Sequence, residues 1–237
     1  MTAIQFHERH MQLARDLNVY REMEIAAKEL VKVYREYAEE KEQNGDFNEA
    51  VEFYSKGLEA ARASRDRAAE GVACHRLGKT YVAVGQPQTA ANFLHEFERI
   101  CNDLEDLQGQ GSACAALAAA YQSIGDDDKA VGYLETYLSI ATKTENLTAQ
   151  GEACCALGVI NNKRGEYQKA VENFEKNFEI ARSILSSGAG ATGVVDSSKV
   201  YLGMARGNLM LGGYFNAIQF DMSSLLKWKN AREPLPS

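Results

Sequence analysis

Glycines recur at intervals of 40 residues, at Gly45, Gly85, Gly125 and Gly165, and each is followed five positions later by an alanine, Ala50, Ala90, Ala130 and Ala170. The same interval separates Gly71, Gly111 and Gly151, then Cys74, Cys114 and Cys154, then Leu77, Leu117 and Leu157. A single globular core has no need of such a period. Stacked identical units, each burying a face against the next, do need it.

One unit reads Cys74-x2-Leu77-Gly78-x2-Tyr81-x3-Gly85-x4-Ala90-x3-Leu94. The next two carry Cys114, Leu117, Ala118, Tyr121, Gly125, Ala130 and Leu134, then Cys154, Leu157, Gly158, Asn161, Gly165, Ala170 and Phe174. This pattern resembles the tetratricopeptide repeat, with Cys in place of the usual Trp and one break in the Tyr slot at Asn161. HEAT and armadillo repeats also have periods near 40, and the Leu-Gly-x2-Tyr and Gly-x4-Ala pairs decide between them. The small residues Gly78, Ala118 and Gly158 let the first helix of a unit approach the second, and Ala90, Ala130 and Ala170 do the reverse. Gly85, Gly125 and Gly165 stand where a first helix ends, in the left-handed backbone that glycine adopts without steric strain. Gly71, Gly111 and Gly151 lie inside helices, where each costs about 1 kcal/mol relative to Ala; their phasing predicts close backbone contacts. The expected class is all-α, a tetratricopeptide-repeat right-handed superhelical solenoid of antiparallel helix pairs.

The spacing predicts one solenoid domain over 1–237: an unpaired helix at 4–17, four repeats over 22–186, a loop at 187–194, a fifth, divergent repeat over 195–229 and a tail at 230–237. The helix pairs fall at 22–44 with 46–64, 67–84 with 87–104, 107–124 with 127–144, and 147–164 with 167–186. Leu13-Ala14 in the first helix resembles the ends of second helices such as Ile140-Ala141, so that helix reads as half a unit or a cap. Ser186 to Gly193 is a small-residue stretch that predicts an exposed loop. Gly212-Gly213-Tyr214-Phe215-Asn216-Ala217 echoes Gly45-Asp46-Phe47-Asn48-Glu49-Ala50, which predicts a turn and a fifth pair at 195–211 and 214–229.

A net charge of −7 and the absence of a Lys/Arg cluster argue against nucleic acid and anionic membrane as partners. No apolar run approaches the roughly 18–20 residues that span a bilayer, and the N-terminus is too polar for a signal peptide. The chain is expected in the cytoplasm, with its five cysteines reduced and packed as small hydrophobes.

Candidate chemistry is sparse. The in-phase cysteines lie on successive helix pairs, too far apart to share a metal ion, and no Cys-x2-Cys pair accompanies them. His7-x2-His10 shares a helix face but has no further ligand nearby in sequence. Asp126-Asp127-Asp128 complements the start of a helix and lacks the Gly and Glu of a calcium loop. With no phosphate loop or nucleophile elbow, neither catalytic residues nor a cofactor are expected.

The informative surface is then the concave groove, lined by first-helix residues that avoid the core positions. Helical spacing selects Val72, His75, Lys79 and Val82 in one repeat, Ser112, Ala115, Ala119 and Gln122 in the next, and Glu152, Cys155, Val159 and Asn162 in the third. Only Lys79 and Asn162 could hold a carboxylate. The small, nearly uncharged lining favours an apolar helical face, from a partner or from another segment of the chain, over a charged tail. The only Trp in the chain, Trp228, stands among Lys227, Lys229 and Arg232. Aromatic and Arg anchors are enriched at interface hot spots, so the stretch from Tyr214 to Arg232 is a second candidate partner site.

The 40-residue unit resembles the long-period tetratricopeptide proteins, which include spindle-orientation adaptors and kinesin light chains. The ending Leu225-Leu226-Lys227-Trp228-Lys229-Asn230-Ala231-Arg232-Glu233-Pro234 resembles that of the tetratricopeptide repeat protein 29 family. That resemblance implies a non-enzymatic scaffold of the ciliary or flagellar axoneme, associated with inner-arm dynein or docking subunits and needed for motility. Two alternatives stay open: a cytoplasmic adaptor for dynein assembly or intraflagellar transport, and a peptide-recognition module in signalling.

Overall fold

The computed structural model describes residues 3–188 and 192–231. Among them are eleven helices: α1 (Ala3–Asp16), α2 (Tyr20–Gln43), α3 (Phe47–Ala63), α4 (Arg67–Ala83), α5 (Pro87–Asp103), α6 (Leu107–Ile124), α7 (Asp127–Lys143), α8 (Leu147–Lys163), α9 (Tyr167–Ser186), α10 (Thr192–Phe220) and α11 (Met222–Ala231). No strand occurs among the described residues, and the class is the all-α, tetratricopeptide-repeat one. The first nine helices begin and end within two residues of the positions that the repeat spacing implies. Contacts divide the chain into two compact units, 1–140 and 141–237, with the boundary inside α7.

Two kinds of turn produce this regularity. Within each pair the chain reverses at Gly45, Gly85, Gly125 or Gly165, with φ of +84°, +82°, +89° and +78°. Between pairs the left-handed residue is not glycine: Arg65, Glu105 and Glu145 hold φ of +56°, +55° and +53°, again 40 residues apart. A capping residue follows each. Asp66, Asp106 and Asn146 accept hydrogen bonds from the backbone N–H groups of Ala69, Gly109 and Ala149, satisfying donors that the first turn of a helix leaves unpaired.

In unit 1, successive helices pack in antiparallel pairs, and among the first helices α2 also touches α4, and α4 touches α6. Leu77, Leu94 and Leu117 are fully buried, and Ala50 and Ala90 have no exposed surface; such Leu side chains each contribute about 1.5–3 kcal/mol through burial. An ion-pair network ties three helices together. Glu70 on α4 bonds Arg62 on α3 at 3.0 Å and Arg67 at 2.6 Å, while Arg62 also reaches Glu96 on α5 at 3.0 Å.

In unit 2, α8 packs on α9 and α9 on α10, around Ala170, Phe174, Leu202 and Ala205. The expected fifth helix pair takes a different form. α10 starts at Thr192, inside the expected loop, and continues through Gly212-Gly213 to Phe220, with its break at Asp221. The other turns place Asp46, Gln86, Asp126 or Glu166 after the glycine, a polar residue at the helix start. At 212–213 a second glycine stands there instead, and the next acidic residue is Asp221, where α10 gives way to α11. Ala189, Gly190 and Ala191 of the expected loop, and 232–237 of the expected tail, lie outside the described residues.

Candidate binding clefts

Each unit carries a cleft, and the first is built from the residues chosen by helical spacing. α4 supplies His75, Lys79 and Val82, α6 supplies Ser112, Ala115 and Ala119, and together with Ala116 and Tyr137 they enclose about 370 Å³. Three-and-four spacing puts these side chains on one face of their helices, away from Cys74, Leu77, Cys114 and Leu117, which are buried in the core. Gln122 is half-buried on α6 outside this cleft. Val72 is exposed and opens instead into a smaller adjoining depression shared with Val31, Arg35 and Arg76.

The cleft is nearly uncharged for a physical reason. His75 stacks on Phe97, with ring centroids 4.7 Å apart and planes 24° from parallel. Burial there, helped by the neighbouring Lys79 and Arg76 charges, pushes its pKa down to about 4. The imidazole is neutral at physiological pH, which leaves Lys79 as the one cation in the lining. Beneath the floor the thiols are likewise uncharged: burial pushes Cys74 up to about 12 and Cys114 up to about 11.

Unit 2 holds its own cleft of about 310 Å³ between α8, α9 and α10. Of the four residues selected from sequence there, Glu152 and Cys155 line it, alongside Ile180, Ile184, Val194 and Tyr201. Val159 is exposed elsewhere on α8. Asn162 is already engaged, since its Oδ1 accepts a hydrogen bond from Asn208 Nδ2 on α10 at 2.9 Å.

At the C-terminal candidate site, Trp228 is half-buried and packs edge-on against Tyr214, with centroids 5.7 Å apart. Lys227 and Lys229 flank it on exposed positions of α11, while Arg232 lies outside the described residues. Tyr137 was missed as a cleft residue because it sits on a second helix. Yet Phe97, Tyr137 and Asn177 are also spaced by 40 residues, and all three pack over the glycines of the first helices. Extending the glycine period to the second helices finds them.

Models of the tetratricopeptide repeat match residues 31–64, 113–148 and 151–183. The chain therefore carries tetratricopeptide repeats, units that mediate protein–protein interaction. Among curated proteins, tetratricopeptide repeat protein 29 of Macaca fascicularis is 29% identical over 82 residues, which is 35% of this chain and 17% of that protein. A solved structure of a Podosopora anserina putative kinesin light chain with nearly identical repeats is 25% identical, with a TM-score of 0.63 over 86% of this chain and 97% of that one. BtubC from P. vanneervenii is 18% identical with a TM-score of 0.67, covering 100% of this chain and 96% of that one; it shares the fold.

Proposed function

We propose that the protein is a non-enzymatic binding scaffold whose unit 1 cleft receives the apolar face of a helical segment from a protein partner. The composition of the cleft carries this reading. Ala115, Ala116, Ala119 and Val82, beside a neutral His75, offer shallow apolar contact and let a helix backbone come close, whereas one lysine is too little to hold an acidic tail. Replacing Ala115 and Ala119 with Glu places two charges on that floor and abolishes partner binding; unchanged binding would move the site to another face or to the C-terminal helices.

The finer reading places the scaffold in the ciliary or flagellar axoneme, bound to inner-arm dynein or its docking subunits and needed for motility. The 29% identity to tetratricopeptide repeat protein 29 and the Trp228-Lys229 ending support it. In this reading Lys227, Trp228, Lys229 and Arg232 form a second contact. The chain spans about a sixth of that relative in the matched region, so the role of the whole relative is carried over as a proposal. Salt extraction of detergent-stripped axonemes tests it: the scaffold stays with the axoneme until inner-arm dynein is released. Early loss into the detergent fraction instead favours a cytoplasmic transport adaptor, a reading that the 25% identity to a putative kinesin light chain across most of this chain supports.

A further inference from the structure

We propose that the outer face of α10 pairs, antiparallel, with the same face of a second copy of this chain. α10 buries Val195, Ser198, Leu202 and Ala205 against its own unit. At about 100° per residue, the opposite face carries Val200, Met204, Gly207, Leu211, Phe215 and Ile218, spaced by three and four. The five apolar side chains among them are between 40% and 70% exposed. A helix that is apolar on both faces belongs between two neighbours; α9 covers the inner face, while the short α11 reaches α10 beside the stripe, through Trp228 on Tyr214, and leaves the five side chains exposed.

The chemistry of the stripe selects a copy of itself. From Gly207 to Phe220, 14 consecutive residues carry no charge, in a chain where 25% are charged. The stripe thus offers an oppositely charged partner nothing to read, and it sets no like charges against each other when it meets itself.

The order of side chains is also self-complementary about Leu211. An antiparallel two-fold pairing centred there puts Met204 against Ile218 of the second copy and Gly207 against Phe215, the smallest residue against the largest. Nothing lies within 4 Å of where a Cβ on Gly207 would be, so the recess is open to an incoming ring. The described contacts give this helical glycine no packing role, although it costs about 1 kcal/mol relative to Ala. Five half-exposed side chains with the adjacent backbone amount to on the order of 600 Å² per copy, or about 1,200 Å² per pair. That is the lower end of the range for specific interfaces and implies a dimer that dissociates on dilution.

Sedimentation of the full chain across a micromolar concentration series tests the pairing. The expected mass rises from 26.1 kDa to twice that value, and Leu211→Glu or Phe215→Glu, both on exposed positions, holds it at the monomer with helicity unchanged. Leu211→Cys, at the two-fold axis, gives a disulfide-linked dimer under mild oxidation. Val200→Cys does not, because two antiparallel helices hold those residues about 33 Å apart. A wild-type chain that stays monomeric throughout, as it would if another protein or another segment of the chain covers the face, overturns the proposal. So does association that survives both Glu variants, or cross-linking at Val200 as efficient as at Leu211. Ala115→Glu with Ala119→Glu leaves the dimer intact, so failure of the cleft reading and failure of this one are separable.

Discussion

A methyl group placed on Gly78 would stand 2.5 Å from the Cδ2 and Cγ atoms of Leu94, the fully buried side chain facing it from the second helix of the same repeat. The repeat thus needs glycine here for the approach of two helices, not for backbone freedom. Gly78→Ala lowers stability by about 1–3 kcal/mol through overpacking, and Gly158→Ala, which meets the Phe174 ring at 2.7 Å, does the same. At Gly111 the nearest group is the Ile140 methyl at 3.4 Å, so Gly111→Ala fits and raises stability by about 0.5–1 kcal/mol through helix propensity. Chemical denaturation of the three variants checks the ranking; equal effects at Gly78 and Gly111 would remove the packing explanation.

The joints between repeats can be improved and broken at adjacent residues. Glu105 holds a left-handed φ of +55°, which is strained for a residue with a Cβ, and Glu105→Gly stabilises the fold by about 0.5–1 kcal/mol. Asp106→Ala removes the cap on Gly109 N–H and costs about 1 kcal/mol. Thermal melts of the two single variants and the double variant read both effects.

His75 makes the fold sensitive to mild acid. Burial depresses its pKa to about 4 from an ordinary 6.5, so between those values the unfolded chain binds a proton that the folded chain excludes. Stability therefore falls as pH drops from about 6.5 towards 4 and this contribution levels off below. His75→Phe, which keeps the stacking on Phe97, flattens that part of the profile. A proton NMR titration of His75 in the folded chain near pH 6.5 would contradict the assignment.

The thiols provide a readout of folding. Burial pushes Cys74 up to about 12 and Cys101 and Cys114 up to about 11, and Cys154 also lies above the usual thiol range for the same reason. At pH 8 a thiol reagent labels half-buried Cys155 first, and the other four react at the rate of unfolding. Rapid labelling of all five in the native state would place the Cys74, Cys114 and Cys154 ladder outside the core.

Much of this architecture is legible in the sequence alone. Gly45, Gly85, Gly125 and Gly165 were legible as turns because a left-handed residue at a helix end is a local requirement, met by one residue type. Lys79, Val82, Ala115 and Ala119 were legible as cleft residues because three-and-four spacing fixes a face once Cys74 and Leu77 fix the opposite one. The path of α10 was not. Gly212-Gly213 looks like the other turns, and what distinguishes it is the acidic or amide residue missing after the glycine, a feature that only comparison across all five sites exposes. The uniform reason given for Gly71, Gly111 and Gly151 also fails in part. A Cβ at Gly71 would meet the Ile100 side chain at 3.1 Å, while Gly111 and Gly151 have room at 3.4 Å. Periodicity reports a shared position and not how tightly each copy of it is packed.

The capped joints at Asp66 and Asp106 have a consequence for how such a chain can change its length. Each joint is complete within a few residues, and the residue before each cap, Arg65 or Glu105, adopts nearly the same backbone. Excising residues 67–106 would bring Asp66 directly before Leu107, where its carboxylate meets Gly109 N–H as that of Asp106 did. The chain can therefore lose or gain a whole helix pair by recombination with the seam already made, and a cleft of different length arises in one genetic event without any new turn having to be found.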